Sequence, residues 1–343
     1  MSWLTEDDDE GYYAEYDESA AKVRPNPKAN KPRSKIRPEH ANAVSGRVFS
    51  VDRGRYGIWV AENTPEERQL TATRARELGK KSVVTGDWVD LVGDVTGDEG
   101  SLARIVRIQP RTTLLRRSAD DTDAVERIIV ANADQMLIVV AARDPEPRPR
   151  LVDRYLVAAF DAGITPLLCI TKTDLADPAE FLANFAGLDL TVFRSNTADF
   201  PLAEITAQLQ GHTTVAVGHS GVGKSTLVNA LVPDAHRAIG RVNDVTGRGR
   251  HTSSSTISYR IGSGWIVDTP GVRSFGLGHV DPANILRSFT DLATIAGDCP
   301  RGCTHLPDAP DCEIVERVGV GEFGEIGTLR LDSLQRLLTT LGS

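Results

Sequence analysis

The segment Gly218-His219-Ser220-Gly221-Val222-Gly223-Lys224-Ser225 fits the pattern G-x-x-x-x-G-K-[ST]. It sits between an apolar run, Thr213 to Val217, and a helix-like stretch, Lys224 to Leu231. A strand, a glycine loop and a helix in that order turn successive backbone N–H groups inward on a phosphate at a helix N-terminus. A chain that carries this unit is constrained to an α/β sheet with the loop at the carboxyl end of one strand. Lys224 is expected to reach the β- and γ-phosphates, the Ser225 hydroxyl to ligate Mg²⁺, and Thr226 to join the phosphate contacts. The bland alternative is a glycine-rich turn with an incidental lysine, and the flanking strand and helix count against it.

The loop serves ATP and GTP equally, so the base must be read elsewhere. Thr171-Lys172-Thr173-Asp174 follows another apolar run, Thr165 to Ile170, which places its side chains where open α/β sheets bind ligands. A carboxylate at Asp174 can accept from N1–H and the 2-amino group of guanine, donors that adenine lacks, while Lys172 lies along the base plane. Ser195-Asn196-Thr197, after Leu190 to Phe193, can add backbone contacts to the base. Asp268-Thr269-Pro270-Gly271 closes the strand-like Gly264 to Val267. There Asp268 is expected to hold Mg²⁺ through water, and the Gly271 N–H to meet the γ-phosphate.

Between these two elements lies Arg248-Gly249-Arg250-His251-Thr252-Ser253-Ser254-Ser255, polar and free of apolar periodicity. It reads as a switch loop in which Thr252, with Ser253 as rival, completes Mg²⁺ coordination when the γ-phosphate is present. A solvated loop with no such role is the alternative. Many GTPases place a water-orienting glutamine immediately after the D-x-x-G glycine, where this chain has Val272. Intrinsic hydrolysis should therefore be slow. His251 is the nearest substitute in sequence, making His251, Thr252 and Lys224 the candidate catalytic set.

The order along the chain is base-reading tetrad, base-supporting turn, phosphate loop, switch loop, then D-x-P-G, whereas ordinary small GTPases begin with the phosphate loop. This circularly permuted order resembles the bacterial ribosome small-subunit-dependent GTPases, the RsgA/YjeQ family. Gly249-Arg250-His251-Thr252 and the cysteine cluster described below strengthen the likeness, which runs from about Ala43 to the C-terminus. The resemblance implies a GTPase acting late in maturation of the 30S subunit, with 16S rRNA as partner and hydrolysis stimulated by that subunit.

At 343 residues the chain can bury more than one core. The first 20 residues hold eight acids and no lysine or arginine, and the next 20 hold seven basic residues, one acid and four prolines. Residues 1–42 are therefore expected to be a disordered tail, whose basic arm, Lys22 to Arg37, is either an RNA-binding segment or a solubilising linker. Short β-like runs then follow: Ala43 to Ser50, Tyr56 to Ala61, Gln69 to Thr73, Trp88 to Val92 and Leu102 to Ile108. They suit a five-stranded OB-like RNA-binding barrel over residues 43–112, with an SH3-like barrel as rival and Trp59 and Trp88 as core residues. Residues 113–132 read as a connector. Alternating strands and helices from Asp134 to Asp268 complete a GTPase domain over residues 113–280 with a mainly parallel sheet.

Three of the four cysteines cluster as Cys299-x3-Cys303-x-His305-x6-Cys312. Three thiolates and an imidazole at this spacing fit a closed, structural Zn²⁺ site. The resembled family more usually has one more residue between the first two cysteines and one fewer after the histidine, in the same ligand order. Cys169 reads as a small core residue. Ile314 to Val318 and Leu329 to Leu341 look helical, giving a zinc-binding helical domain over residues 281–343.

The formal charge is −8; the first 20 residues contribute −8 and the next 20 contribute +6, leaving −6 for the rest. A uniformly basic surface is thus excluded, and RNA contact must use local patches such as Arg111, Arg116 and Arg117, or Arg241, Arg248 and Arg250. No apolar stretch has the length of a membrane span and no secretory signal opens the chain, so a cytoplasmic monomer with no DNA or membrane partner is expected. The full expectation is a multidomain α/β GTPase using GTP/GDP, Mg²⁺ and Zn²⁺. Its rivals are a zinc-containing RNA-binding module that senses GTP without turnover, and a metabolic P-loop ATPase or kinase.

Overall fold

The computed structural model describes residues 40–52, 54–79, 81–118, 126–196, 199–233, 256–269 and 275–341. Five strands open it: β1 (Val44–Asp52), β2 (Arg55–Val60), β3 (Arg68–Arg74), β4 (Trp88–Gly93) and β5 (Ala103–Ile108). Their order is β1-β2-β3-β5-β4, and β4 pairs back onto β1 to close a barrel. β3 and β5 are parallel neighbours although β4 separates them in the chain, and β4 closes the barrel between β5 and β1, the OB Greek-key arrangement. Alternate residues, among them Val48, Ile58, Leu70, Val89, Leu91 and Ile105, fill its interior.

Residues 113–132, read from sequence as a connector, contain a hairpin of β6 (Leu114–Ser118) and β7 (Glu126–Ala131). Gly86 of the barrel packs against it at φ +90°, and a Cβ there would fall 2.0 Å from the Ala131 carbonyl oxygen. Only glycine permits that approach.

The second half is the sheet β10-β9-β8-β11-β13-β12, formed by β8 (Gln135–Ala141), β9 (Thr165–Thr171), β10 (Thr191–Arg194), β11 (Thr213–Val217), β12 (Ile257–Ile261) and β13 (Gly264–Asp268). All neighbours are parallel except β12 against β13. Both faces are covered, as a parallel sheet requires. Met136, Ile138 and Val140 of β8 face the core shared with α1 (Pro149–Asp161), while Leu137, Val139 and Ala141 face the core shared with α3 (Leu202–Leu209) and α4 (Lys224–Leu231). The period of two along one strand thus serves two cores.

Barrel and GTPase sheet are continuous through the pairing of Ser50 in β1 with Ile257 in β12. Arg47, 7% exposed, crosses this junction, donating Nη2 to the Thr213 hydroxyl at 2.6 Å with its guanidinium 5.1 Å from the Trp265 ring and 5.9 Å from the Trp88 ring. Trp59 meets Trp265 edge-on at 6.1 Å. Trp59 therefore packs against the GTPase sheet, while Trp88 lies against Arg47 at the junction. Arg111 is likewise committed, to Asp87 at 2.6 and 2.8 Å and to the Ser82 carbonyl at 2.7 Å.

After β13 come four helices: α5 (Pro282–Arg287), α6 (Thr290–Ile295), α7 (Glu313–Gly319) and α8 (Gly324–Thr340). Their apolar side chains, including Ile285, Leu292, Ile314, Leu334 and Leu337, join the same core as β8 and α1. The C-terminal helices are thus packed onto the GTPase sheet and not only around the cysteine cluster. No helix among the described residues is long and apolar enough to cross a membrane.

Candidate nucleotide and metal sites

The sequence Thr213–Val217 is apolar and β-branched, and β11 forms over those residues and is fully buried. The chain leaves it through Gly218, where a Cβ would lie 2.4 Å from the Val139 carbonyl oxygen, and enters α4 after Gly223, held left-handed at φ +92°. Both glycines are needed for the backbone to fold back over the sheet edge and present its N–H groups. Lys224, on the first turn of α4, pairs its Nζ with Asp268 Oδ1 at the end of β13. The residue expected to reach the phosphates and the one expected to organise Mg²⁺ are therefore side by side. Ser225 and Thr226 are exposed on the same turn.

The base-reading tetrad converges on this loop from β9. The Thr171 hydroxyl, buried at 2% exposure, donates to the Val222 carbonyl at 2.5 Å and lies 3.3 Å from the Val140 carbonyl. Lys172, at φ +56°, donates Nζ to the Gly221 carbonyl at 2.9 Å and to the Asp144 carbonyl. Two consecutive side chains thus tie the tetrad to the phosphate loop. Asp174 follows on an exposed turn.

The supporting turn is joined to the same strand end: Ser195 N–H donates to the Ile170 carbonyl at 2.8 Å, and Thr173 N–H to the Ser195 carbonyl at 3.0 Å. Ser195 is itself buried and its hydroxyl lies 3.0 and 3.1 Å from the Asn196 and Asp199 carbonyls, while Asn196 Oδ1 accepts from Asp199 N–H at 2.5 Å. His219 turns Nδ1 back on the Ser220 carbonyl at 3.0 Å. Thr269 anchors the segment after Asp268, donating its hydroxyl to the Ala216 carbonyl of β11 at 2.8 Å. His251, Thr252, Ser253, Gly271 and Val272, as well as Thr197, lie outside the described residues.

The second cluster is 3.6 to 4.0 Å across its measured edges: Cys312 Sγ to His305 Nδ1 is 3.6 Å, Cys299 Sγ to His305 Nδ1 3.8 Å and Cys299 Sγ to Cys312 Sγ 4.0 Å. All four donor atoms, Cys303 included, lie within 4.8 Å of one another. Zinc bonds of about 2.3 Å to sulfur in a tetrahedron put sulfurs about 3.8 Å apart, so the donor set fits Zn²⁺. Burial keeps the His305 pKa below its usual value, favouring the neutral imidazole that binds metals. Burial, then Cys303 and Cys299 beside it, push the Cys312 thiol up to about 11; three thiolates here need a cation. Cys169, by contrast, lies inside β9 with its thiol pushed up to about 12 by burial, an inert core residue.

Sequence reasoning missed β12 and the helices at 282–295. The Gly262-Ser263 turn between alternating runs signals the β12–β13 hairpin, with Gly262 at φ +56°. Asp281-Pro282 signals α5: the Asp281 side chain accepts from Ala283 N–H at 2.9 Å and Pro282 occupies the first turn.

A phosphate loop, a guanine-type tetrad one strand away and an aspartate closing the neighbouring strand, in this chain order, define a circularly permuted P-loop GTPase. A family model described as RsgA GTPase matches residues 108–278. The chain is 37% identical over 272 residues to the small ribosomal subunit biogenesis GTPase RsgA 1 of Vibrio vulnificus, covering 77% of this chain and 75% of that one. It is 36% identical over 273 residues to the small ribosomal subunit biogenesis GTPase RsgA of Pseudomonas aeruginosa, covering 76% of each. This chain belongs to the RsgA GTPase family. The fold also matches the crystal structure of YloQ, described as a circularly permuted GTPase, with a TM-score of 0.63 at 24% identity over 90% of this chain and 98% of that one. YjeQ from Thermotoga maritima matches with a TM-score of 0.61 at 23% identity, covering 88% and 99%.

Proposed function

We propose that this GTPase serves biogenesis of the small ribosomal subunit, the role its relatives' names carry, with the 30S particle and its 16S rRNA as partner and the cytoplasm as its place of work. GTP or GDP is held by Thr171, Lys172, Asp174, Ser195 and Asn196 at the base, and by residues 218–226, Asp268 and Gly271 at the phosphates. Ser225 and Thr252 ligate Mg²⁺, and His251 acts on the attacking water. Cys299, Cys303, His305 and Cys312 hold a structural Zn²⁺. The working units are a tail (1–42), barrel (43–112), GTPase domain (113–280) and zinc domain (281–343). The observation that carries the nucleotide reading is the double tie from Thr171 and Lys172 to the carbonyls of Val222 and Gly221.

Turnover of GTP measured against added subunits tests the partner. The expected result is a rise with 30S and none with 50S; no rise at saturating 30S removes the assignment. Base reading has a separate test. Asp174→Asn keeps the shape but replaces one acceptor oxygen with a donor, so GDP affinity should fall about a hundredfold, the cost of losing a charged hydrogen-bond partner. Calorimetric titration with GDP and ADP checks it, and an unchanged preference for GDP overturns the role of Asp174.

A further inference from the structure

α8 reaches from the cysteine cluster to the edge of the GTPase sheet that carries the base-reading residues. Gln335 Nε2 donates to the His305 carbonyl at 3.2 Å at the cluster end. Two arginines of α8 bind outward from it, Arg330 to α6 and to residues 187–189, and Arg336 to α1 and residue 184. Arg330, 8% exposed, donates Nε and Nη2 to the two carboxylate oxygens of Asp291 at 2.7 and 2.8 Å and Nη1 to Asp189 at 3.0 Å. Its guanidinium lies 5.4 Å from the Phe289 ring. Arg336 donates Nε to the buried Asp153 at 3.1 Å and Nη1 to the Asn184 carbonyl, and sits 5.2 Å from the Phe185 ring. Burial pushes the Asp153 pKa up and Arg336 opposes that shift. A Cβ on Gly187 would fall 2.1 Å from the Leu329 carbonyl oxygen, so chain and helix run here at a separation only glycine allows.

The segment held in this way, residues 184–189, joins α2 (Ala179–Ala183) to β10. α2 has five residues and begins five after Asp174; β10 has four, ends beside Ser195 and, among the described residues, pairs only with β9. A helix of five residues and an edge strand of four depend on the packing around them for their placement. The two base-facing segments are thus the far ends of one unit whose near end is gripped by α8. Phe181 and Phe185 of that unit share a core with Leu334, Leu337 and Leu338 of α8.

We propose that Arg330 and Arg336 are positioning residues for guanine recognition: by gripping residues 184–189 they set α2 and β10, and through them Asp174 and the Ser195-Asn196 turn, against the phosphate loop. The proposal rests on the reading of Thr171 to Asp174 as the base site. Base contacts are the same in GDP and GTP, so the grip acts on ground-state affinity for both and not on the chemical step.

The test is steady-state GTP turnover together with fluorescent-GDP binding in the full chain, for Arg330→Met, Arg330→Lys, Arg336→Met and Asp189→Ala. KM for GTP and Kd for GDP should rise together, about tenfold for Arg330→Met and about twofold for Asp189→Ala, with kcat unchanged. Arg330→Lys should recover only part, since one ammonium cannot serve two carboxylates as a planar fork does. Asp189 is 92% exposed at its side chain, so its variant folds normally and decides the matter if Arg330→Met does not fold. Wild-type GDP affinity in the folded variants, or a fall in kcat at unchanged KM, overturns the grip. Asp174→Asn run beside them separates the two readings: if it too binds GDP as wild type does, the base site itself is misplaced.

Discussion

Replacing Lys224 with alanine should lower single-turnover GTP hydrolysis by about 10²–10³-fold, the scale of losing one preorganised donor to a developing charge. The ammonium sits on the first turn of α4, where the helix N-terminus and the inward N–H groups of the loop already favour an anion. Asp268, paired with it, supplies the opposing carboxylate. Removing the ammonium would delete the cation expected at the phosphates and leave Asp268 without the lysine it pairs with in the structure. Lys224→Arg should not restore turnover, because the planar guanidinium cannot occupy the space of a compact ammonium between the loop and β13. GDP affinity should fall much less than turnover, since the base contacts of Thr171 to Asp174 are untouched. Quenched-flow hydrolysis with fluorescent-GDP binding checks both. Turnover within threefold of wild type would mean that Lys224 is not among the groups facing the transferred phosphoryl.

The parts of this site that were legible in sequence are those fixed by local chemistry. Gly218 and Gly223 announce a loop because the backbone there excludes a Cβ or requires a left-handed turn, and β11 and β8 announce themselves as unbroken β-branched runs. The five barrel strands were legible for the related reason that alternation and turn residues repeat at short spacing. What stayed illegible is non-local. Arg47 looks like a surface arginine in β1, yet it is buried because Trp88 and Trp265 come together around it from distant parts of the chain. Arg330 and Arg336 read as the polar face of a helix, and only the fold brings Asp189, Asp291 and Asp153 to them. The hairpin of β6 and β7 was hidden by its arginines, Arg116 and Arg117, which look like linker composition.

Chain order alone suggests that the end of β13 drives the C-terminal helices, because Asp268 leads directly toward them. The contacts add a second route. α8 is bonded to the segment between α2 and β10, at the far end of the sheet order from β13, so the C-terminal helices touch one edge of the sheet while following β13 in the chain.

If the Cys299, Cys303, His305 and Cys312 donors hold the proposed Zn²⁺, its removal is expected to be the most disruptive change to the C-terminal region. Residues 299–312 contain no helix or strand, and only Cys312 of the four ligands is fully buried. Cys299, Cys303, Leu306 and Ala309 are only partly buried against the core, so a Zn²⁺ held by the cluster would add much of the loop's order. Structural zinc in small sites contributes about 10–16 kcal/mol of apparent binding free energy, comparable to the whole stability of a typical domain. Cys312→Ser removes a thiolate and perturbs the start of α7, whose first residue is Glu313. It should lose one zinc per chain and lower Tm by more than about 10 °C. Because Gln335 bonds the His305 carbonyl and Arg336 follows it on α8, disorder of the loop should also weaken GDP binding severalfold. Metal analysis, calorimetry and GDP titration on wild type, chelator-treated protein and Cys312→Ser check the three consequences. Loss of zinc at unchanged Tm makes the cluster a dispensable surface site; loss of Tm at unchanged GDP affinity confines its influence to α7 and detaches α8 from the metal.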